Sequence, residues 1–222
     1  MGVKKKFGLL PGWLVNGFFT LILPVVDFFV KRRLNPNHFT TVGFLLSFPT
    51  AYLFGSGHFR FGGLMMLLSG LFDMIDGKVA RATKRVTKFG ALYDSTLDRY
   101  SELMIFFGLA YYFVTSAWRV GEYNLALLTA VAVSVAIGGS IMTSYVRARA
   151  EGLGLECKIG LMQRPDRVVL LAFGAIIHQF ALVGIILIIA LFSNITAIQR
   201  LYYVWKSENI VKTHSASDDE VY

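Results

Sequence analysis

Residues 71–102 of this 222-residue chain read LFDMIDGKVARATKRVTKFGALYDSTLDRYSE, an apolar stretch interrupted by aspartates and by one basic cluster. Asp73 and Asp76 are three residues apart, and Asp94 and Asp98 are four residues apart. Residues at these spacings share one face of an α-helix. The basic cluster between the two pairs predicts a short turn, so two consecutive helices would bring the four carboxylates together.

The rest of the chain is unusually apolar, with 55% hydrophobic and only 16% charged residues. A helix needs roughly 20 apolar residues to cross a bilayer, whereas strands would leave unpaired edges in lipid. We therefore predict an all-α integral membrane protein. Its six transmembrane helices are expected at about residues 38–55, 59–82, 87–116, 122–150, 164–177 and 180–205.

The two ends of the chain differ from this six-helix part, which we expect to occupy residues 35–206. Residues 12–30 are apolar but contain polar and helix-breaking positions, and they run into a basic cluster. This composition predicts an interfacial amphipathic helix within an N-terminal cytoplasmic segment, residues 1–34, with a spanning helix as the alternative. Residues 207–222 are polar and are expected to form a disordered cytoplasmic tail.

Positive charge predicts the orientation in the membrane. The chain has a formal net charge of +8, and its Lys and Arg residues cluster between alternate apolar stretches. By the positive-inside rule these clusters are cytoplasmic, so we predict a multi-pass cell-membrane protein with both termini and the acidic cluster on the cytoplasmic side. The charge would attract anionic membrane lipids or a nucleotide diphosphate, and a membrane setting disfavours nucleic acid as a partner.

The acidic cluster predicts a metal site. Four carboxylates at membrane depth would repel one another by on the order of several kcal/mol because the effective dielectric is low. A bound cation would remove this repulsion, and oxygen ligands without His or Cys favour Mg²⁺, Mn²⁺ or Ca²⁺ over zinc. The single cysteine, Cys157, excludes a thiolate cluster and an internal disulfide. Alternatively, the aspartates are structural and pair with Lys78, Arg81 or Arg99.

Small residues beside the acids predict a phosphate-binding surface. Gly77, Ala80 and Gly90 would let a ligand or a neighbouring helix approach the backbone closely. Arg81 follows Gly77 by one helical turn on the same face. Its guanidinium is therefore placed to bind a phosphate that lies over the glycine.

The spacing of these residues resembles the signature of the CDP-alcohol phosphotransferases, and no position is missing: Asp73-x-x-Asp76-Gly77-x-x-Ala80-Arg81, eight residues, then Gly90-x-x-x-Asp94-x-x-x-Asp98. The resemblance extends to the six-helix plan and to residues 35–40. It implies a six-helix bundle, usually a homodimer, whose polar site opens to the cytoplasmic leaflet.

The resemblance also implies roles for the acids. Asp73, Asp76 and Asp94 would hold Mg²⁺ or Mn²⁺ on the diphosphate of a CDP-diacylglycerol-type lipid donor. Asp98 would contact the metal and act as the general base that removes a proton from an acceptor hydroxyl. The acceptor oxygen would then attack the lipid-bearing phosphorus and CMP would leave. A ping-pong route is the alternative.

Further residues match positions that hold the CDP moiety in relatives: Asn37, His38, Thr40, Gly77, Arg81 and Thr87. The first three of them could instead cap the helix that begins near them.

Arginines stand at the predicted cytoplasmic ends of three helices: Arg147, Arg164, Arg167 and Arg200. Arginine matches phosphate geometry by bidentate hydrogen bonding, so we expect a phosphorylated polyol as acceptor. Alternatively, these side chains only anchor helix ends at the interface.

Residues 144–167 resemble the inositol-phosphate-using branch of the family, which makes phosphatidylinositol phosphate or its archaeal ether-lipid counterpart. The resemblance implies that Arg147, Arg167 and Arg200 bind the acceptor phosphate, with Arg164 as a direct or indirect partner. Such relatives often have Lys at the position of Arg147. Glycerol phosphate is the alternative acceptor.

Two other classes of protein fit the sequence less well than this enzyme. A metal-ion transporter would need polar residues through the whole membrane thickness, whereas the acids cluster near one predicted cytoplasmic end. A catalytically silent structural protein is disfavoured because every signature residue is present.

Overall fold

The computed structural model describes residues 28–32, 34–120 and 123–219. Residues 28–31 are helical, and no strand occurs in these three ranges. Six longer helices follow in chain order: α1 (Pro36–Gly55), α2 (Phe59–Ala82), α3 (Lys88–Val120), α4 (Tyr123–Gly152), α5 (Arg164–Ile177) and α6 (Gln179–Asp219). The all-α prediction is confirmed, and the predicted bounds agree to within a few residues except at the C-terminus.

The six helices close into a ring. Each packs mainly against two others, in the order α1, α3, α4, α6, α5, α2 and back to α1. Apolar side chains such as Phe106, Leu109, Leu182 and Ile186 are almost fully buried in the centre. Because α1 lies between α2 and α3, the two acidic helices are aligned by their common packing on α1.

The outer surface of the ring carries many large apolar side chains. Val131, Val135, Ile188 and Leu191 are among those exposed on α4 and α6. Extensive exposed apolar surface marks contact with a membrane or another protein. In the described part of the chain, two helices are long and apolar enough to cross a bilayer, Asn124–Gly152 and Gln179–Ser207.

The start of α1 differs from the prediction that Asn37, His38 or Thr40 caps it. Asn35 is the N-cap, and its side-chain oxygen accepts a hydrogen bond from the Asn37 backbone N–H at 3.1 Å. Pro36 occupies the first helical position, where its missing N–H costs nothing. The capping alternative is therefore wrong.

The ends of the chain are only partly described. The predicted interfacial helix at 12–30 lies outside the described residues except for its last three, which are helical. Helix α6 continues through most of the segment predicted to be disordered, as far as Asp219. Polar composition alone suggested disorder there, but no Gly or Pro follows Ser207 to end the helix.

A close helix crossing fixes α3 on α1. A Cβ atom added at Gly108 in α3 would overlap the carbonyl oxygen of Ala51 in α1. Nearby, Ser69 in α2 donates a hydrogen bond from Oγ to the carbonyl oxygen of Gly43 in α1, at 2.8 Å. Small residues and hydroxyl bonds of this type replace the hydrophobic effect as the source of helix association in lipid.

Substitution Gly108→Ala should destabilise the bundle by about 1–3 kcal/mol, since the added methyl group meets rigid backbone. We expect a lower melting temperature in detergent, measured by circular dichroism. Gly184→Ala is the matched control, because a Cβ there would have nothing within 4 Å. Equal melting temperatures for the two variants would contradict the close crossing.

Candidate active site

Helix α1 supports the first acidic pair. Thr40 donates a hydrogen bond from Oγ1 to Asp76 Oδ2 at 2.6 Å, and both residues are buried. One turn further along α1, a Cβ at Gly43 would lie 2.7 Å from Asp73 Oδ1. The glycine therefore leaves the space that the Asp73 carboxylate occupies. Thr40, predicted as a nucleotide contact, orients an acid of the cluster.

The second acidic pair comes from α3 and lies close to the first. The charges of Asp73 and Asp94 act on both Asp76 and Asp98. The predicted convergence of α2 and α3 therefore produces one electrostatically coupled cluster. Its members repel one another, which requires positive charge nearby.

Arg164, the first residue of α5, supplies that positive charge. Its Nη2 lies 2.9 Å from Asp73 Oδ2, and its Nη1 lies 2.8 Å from Asp98 Oδ2. One guanidinium therefore joins α5 to both acidic helices. If the aspartates were structural, the sequence offered Lys78, Arg81 or Arg99 as their partners. The Nη1 of Arg99 donates to the carbonyl oxygen of Ser95.

The cluster has the chemistry of a divalent-metal site, but its side chains do not form a closed ligand set. Over the described ranges, no three Asp, Glu, His or Cys side chains form a group that could hold a metal ion as placed. Arg164 takes one oxygen each from Asp73 and Asp98. Four carboxylates outnumber the guanidinium groups of Arg164 and Arg99 that act on them, which leaves excess negative charge. Hard oxygen donors suit Mg²⁺ or Mn²⁺, so the residue types fit such an ion.

A cleft of about 660 Å³ opens beside the first acidic pair, and we call it the donor cleft. Five of the six residues predicted to hold a nucleotide line it: Asn37, Thr40, Gly77, Arg81 and Thr87. The sixth, His38, is exposed on α1 and does not belong to the lining. Arg85, in the basic turn between α2 and α3, also lines the cleft and was not predicted.

The predicted shared face of Gly77 and Arg81 lies along the donor cleft. The Arg81 guanidinium lies 3.4 Å from the position that a Cβ of Gly77 would take, so the glycine and the arginine share one face of α2. On the opposite side, Thr87 accepts a hydrogen bond from the Gly90 N–H at 2.9 Å, which orders the start of α3.

A larger cleft of about 1180 Å³ lies on the other side of α3, and we call it the arginine cleft. All four arginines predicted to bind an acceptor line it: Arg147, Arg164, Arg167 and Arg200. Asp98 and Arg99 line it as well. Asp94 and Ala91 border both clefts, so the two spaces meet at the second acidic pair.

The four arginines are held differently. Arg167 is 2% exposed and forms a bidentate pair with Glu102, from Nε at 2.6 Å and from Nη2 at 3.0 Å. Its Nη1 is buried and has no hydrogen-bond partner in the described ranges. Arg147 is much more exposed and pairs with Glu151, one turn along α4, at 2.8 Å. Arg167 is therefore fixed, whereas Arg147 can move.

Arg200 has a structural function in addition to its place in the cleft. Its Nε donates to the carbonyl oxygen of Ile159 at 2.8 Å, and its Nη1 donates to that of Thr143 at 2.6 Å. It therefore ties the loop after α4 and the end of α4 to α6.

The loop between α4 and α5 is packed against α6. Met162 donates its backbone N–H to Thr196 Oγ1 at 3.0 Å, and Gly160 has φ +139°, which favours glycine. Cys157 is fully buried in this loop, and burial raises the pKa of its thiol. A neutral, enclosed thiol does not take part in the chemistry of the clefts.

Glu102 is a second residue, after Arg85, that sequence reasoning missed. It is the partner of Arg167, and it continues the four-residue spacing of Asp94 and Asp98 on α3. That spacing was the available signal, because an acid inside an apolar helix needs a partner. The identity of the partner, on α5, could not be derived from spacing.

Comparison with known proteins agrees with this geometry. A profile of the CDP-alcohol phosphatidyltransferase family matches residues 33–200. The archaetidylinositol phosphate synthase of Methanothermobacter thermautotrophicus is 34% identical over 198 residues, which cover 87% of this chain and 95% of that protein. The phosphatidylinositol phosphate synthase of Mycobacteroides abscessus is 32% identical over 201 residues, which cover 88% of each chain.

Solved structures of the Mycobacterium tuberculosis phosphatidylinositol phosphate synthase share the fold. The structure with CDP-DAG bound has a TM-score of 0.70 at 32% identity, covering 82% of this chain and 92% of that one. The complex with manganese and citrate has a TM-score of 0.71 at 31% identity, covering 82% and 88%.

The chain belongs to the CDP-alcohol phosphatidyltransferase family, and the resemblance found in the spacing of its aspartates is confirmed. It is a membrane transferase of phospholipid biosynthesis. The family uses a divalent metal, which agrees with the oxygen donors of the acidic cluster.

Substitution Thr40→Val should weaken metal binding, because it removes the hydrogen bond that orients Asp76 without changing side-chain volume. Loss of such a partner typically costs about 10–100-fold in metal affinity. The measurement is the rise in melting temperature at one fixed Mn²⁺ concentration, because the stabilisation grows with the logarithm of that concentration divided by Kd.

Thr50→Val is the matched control for this variant, because Thr50 lies on the same helix and bonds to the Leu46 carbonyl of its own helix. If the two variants respond equally to Mn²⁺, Thr40 does not support the metal site.

Proposed function

We propose that the protein transfers the phosphatidyl group of CDP-diacylglycerol, or the corresponding group of an ether-lipid donor, to a hydroxyl of inositol phosphate. The products are CMP and phosphatidylinositol phosphate. Relatives with 32–34% identity are named for this product or its archaeal counterpart, and CDP-DAG is bound in a structure with the same fold.

The observation that carries the proposal is the meeting of two unlike clefts at Asp94. The donor cleft offers glycine backbone and Arg81, which suit a nucleotide diphosphate. The arginine cleft offers far more positive charge than a neutral alcohol requires. A donor in the first and a phosphorylated alcohol in the second would meet beside Asp94 and Asp98, where transfer takes place.

Asp98 is the general base. It borders the arginine cleft and not the donor cleft, so its carboxylate lies on the side of the acceptor. Asp98 takes the proton of the acceptor hydroxyl, and the acceptor oxygen bonds to the lipid-bearing phosphorus. The bond from that phosphorus to the CMP oxygen breaks, and CMP leaves with the electron pair.

Asp73, Asp76, Asp94 and Asp98 would hold the divalent ion, for which we propose Mg²⁺. When bound, the ion would neutralise the donor diphosphate and stabilise the charge that develops on CMP. Thr40 keeps Asp76 in position. Gly77, Arg81 and Thr87 then place the nucleotide against the acidic cluster.

Arginine geometry supports a phosphorylated acceptor. The buried Arg167, held by Glu102, offers a fixed site for one phosphate oxygen, and Arg147 and Arg164 are placed to add further contacts. Any phosphorylated alcohol of similar size would suit these contacts, so glycerol phosphate is the alternative acceptor. A metal-ion transporter has no support.

The arrangement in the membrane follows from charge. The donor cleft is bordered by the turn that carries Lys84 and Arg85, which leads to Lys88 at the start of α3. Basic turns face the cytoplasm. Helices α1–α6 therefore cross the membrane six times, with both termini and the clefts on the cytoplasmic side. Residues 35–206 form the catalytic domain, which acts as a homodimer.

The acceptor is tested by CMP release from CDP-diacylglycerol by the purified protein in Mg²⁺. Inositol phosphate should give turnover, whereas free inositol and serine should not, because neither provides a phosphate for the arginines. Glycerol phosphate is included as the alternative. Turnover with free inositol or serine but not with inositol phosphate would contradict the acceptor assignment.

Substitution Asp98→Asn should lower kcat by about 10²- to 10⁴-fold, the usual contribution of a general base. At saturating Mg²⁺, binding of CDP-diacylglycerol, measured by equilibrium dialysis, should be retained, because Asp98 does not line the donor cleft and three aspartates remain to hold the ion. Glu156→Gln, an exposed acid in the α4–α5 loop, is the control with the same charge change. Normal turnover by a folded Asp98→Asn variant would exclude Asp98 as the base.

A further inference from the structure

Two arginines one helical turn apart on α5 have different kinds of partner. Arg167 has a carboxylate of its own, Glu102, which it binds through two nitrogens. Arg164 instead divides its two terminal nitrogens between Asp73 and Asp98. Both of these acids belong to the proposed metal site. A cation that enters the site would therefore deprive Arg164 of its partners but leave Arg167 unaffected.

Asp73 has one accessible oxygen, for which the Arg164 guanidinium and an entering cation compete. Its Oδ1 rests against the backbone of α1, since a Cβ at Gly43 would lie only 2.7 Å away. Its Oδ2 accepts the hydrogen bond from Arg164 at 2.9 Å. A cation bound to the accessible oxygen of Asp73 would meet the guanidinium at that same oxygen, and the two positive charges repel each other.

Arg164 is poorly secured apart from these two acids. It is the first residue of α5, where a positive side chain is not stabilised by the helix dipole. Its Nε is buried and has no hydrogen-bond partner within the described ranges. Its side chain is 25% exposed and borders the arginine cleft. Once released from the acids, the guanidinium is therefore already at the wall of the proposed acceptor site.

We infer that Arg164 couples the metal site to the acceptor site by exchanging partners. A divalent cation that binds Asp73 and Asp98 displaces the guanidinium, which then binds the phosphate of the acceptor in the arginine cleft. The identity of the acceptor rests on the proposed function, whereas the displacement does not. Arg164 is thus a positioning residue toward the metal and a binding residue toward the acceptor.

Coupling of this kind is reciprocal. If the cation frees Arg164 for the phosphate, the phosphate must in turn favour the form in which the acids are free for the cation. Each ligand should raise the affinity for the other by about 5- to 150-fold, the usual range of such coupling. The arginine cleft then gains its full positive charge only when the metal site is filled.

Mn²⁺ binding to the purified full-length protein tests the displacement, with free Mn²⁺ measured by electron paramagnetic resonance. Substitution Arg164→Gln removes the competing cation, so Mn²⁺ should bind at least about 5-fold more tightly than to wild type. Arg149→Gln is the control, because it makes the same charge change at an exposed position on α4 outside the cleft lining. Its Mn²⁺ affinity should remain close to that of wild type.

The coupling is measured by repeating the Mn²⁺ titration with inositol phosphate present. Wild type and Arg149→Gln should bind Mn²⁺ more tightly in its presence. Arg164→Gln should show no such change, because the residue that carries the coupling is absent. Arg164→Lys should show weakened coupling, since one ammonium cannot contact both acids in the way that a guanidinium does.

Wild-type protein provides a readout that does not depend on the folding of a variant. Modification by phenylglyoxal, located by peptide mass spectrometry, reports whether a guanidinium is engaged. Arg164 should react faster when Mn²⁺ is added, and inositol phosphate should protect it again. Arg167 should stay protected throughout because Glu102 holds it, and the exposed Arg149 should react under all conditions.

Two results would overturn the inference. Displacement is excluded if Arg164→Gln binds Mn²⁺ no more tightly than wild type, or if Mn²⁺ leaves Arg164 equally protected. Partner exchange is excluded if inositol phosphate changes Mn²⁺ binding equally in wild type and Arg164→Gln. Failure of the proposed function has a different signature, namely no CMP release with inositol phosphate, while the titration with Mn²⁺ alone still reports on displacement.

Discussion

Negative charge enclosed in an apolar bundle is the constraint that organises this protein. Four aspartates on two helices cannot be solvated by lipid or by Leu and Phe side chains, so each needs a polar partner. The structure supplies a hydroxyl from Thr40 to Asp76 and a guanidinium from Arg164 to Asp73 and Asp98. The remaining excess of negative charge explains why a divalent cation and the diphosphate that it binds suit the same place.

The ring of helices follows from how that charge is aligned. Helix α1 packs on both acidic helices. The missing side chain at Gly43 leaves space for Asp73, and the hydroxyl of Thr40 bonds to Asp76. Helix α5, the neighbour of α2 in the ring, contributes Arg164, which pairs with acids of both α2 and α3. The acidic cluster is thus held from two directions, by packing on one side and by an ion pair on the other. This arrangement leaves one cleft on each side of α3.

The arginines show that residues of one type, in one cleft, have different physical functions. Arg200 holds the α4–α5 loop through backbone carbonyl groups, and Arg167 is fixed by Glu102. Arg147 is exposed and pairs within its own helix. Of these four arginines, Arg164 is the one that forms ion pairs with the acidic cluster. Counting positive charges therefore indicates what the cleft can bind, whereas the partner of each guanidinium indicates which one can respond to binding.

Local geometry explains what could be predicted from the sequence alone. Helical spacing and apolar length determined the six helices, the two acidic pairs and the shared face of Gly77 and Arg81, because each depends only on neighbours within one or two turns. Contacts between distant segments were decided by the tertiary structure. The bridge from Arg164 to Asp73 and the pairing of Arg167 with Glu102 join residues more than sixty positions apart, and no local pattern specifies such a partner, since it depends on which helices the ring places side by side.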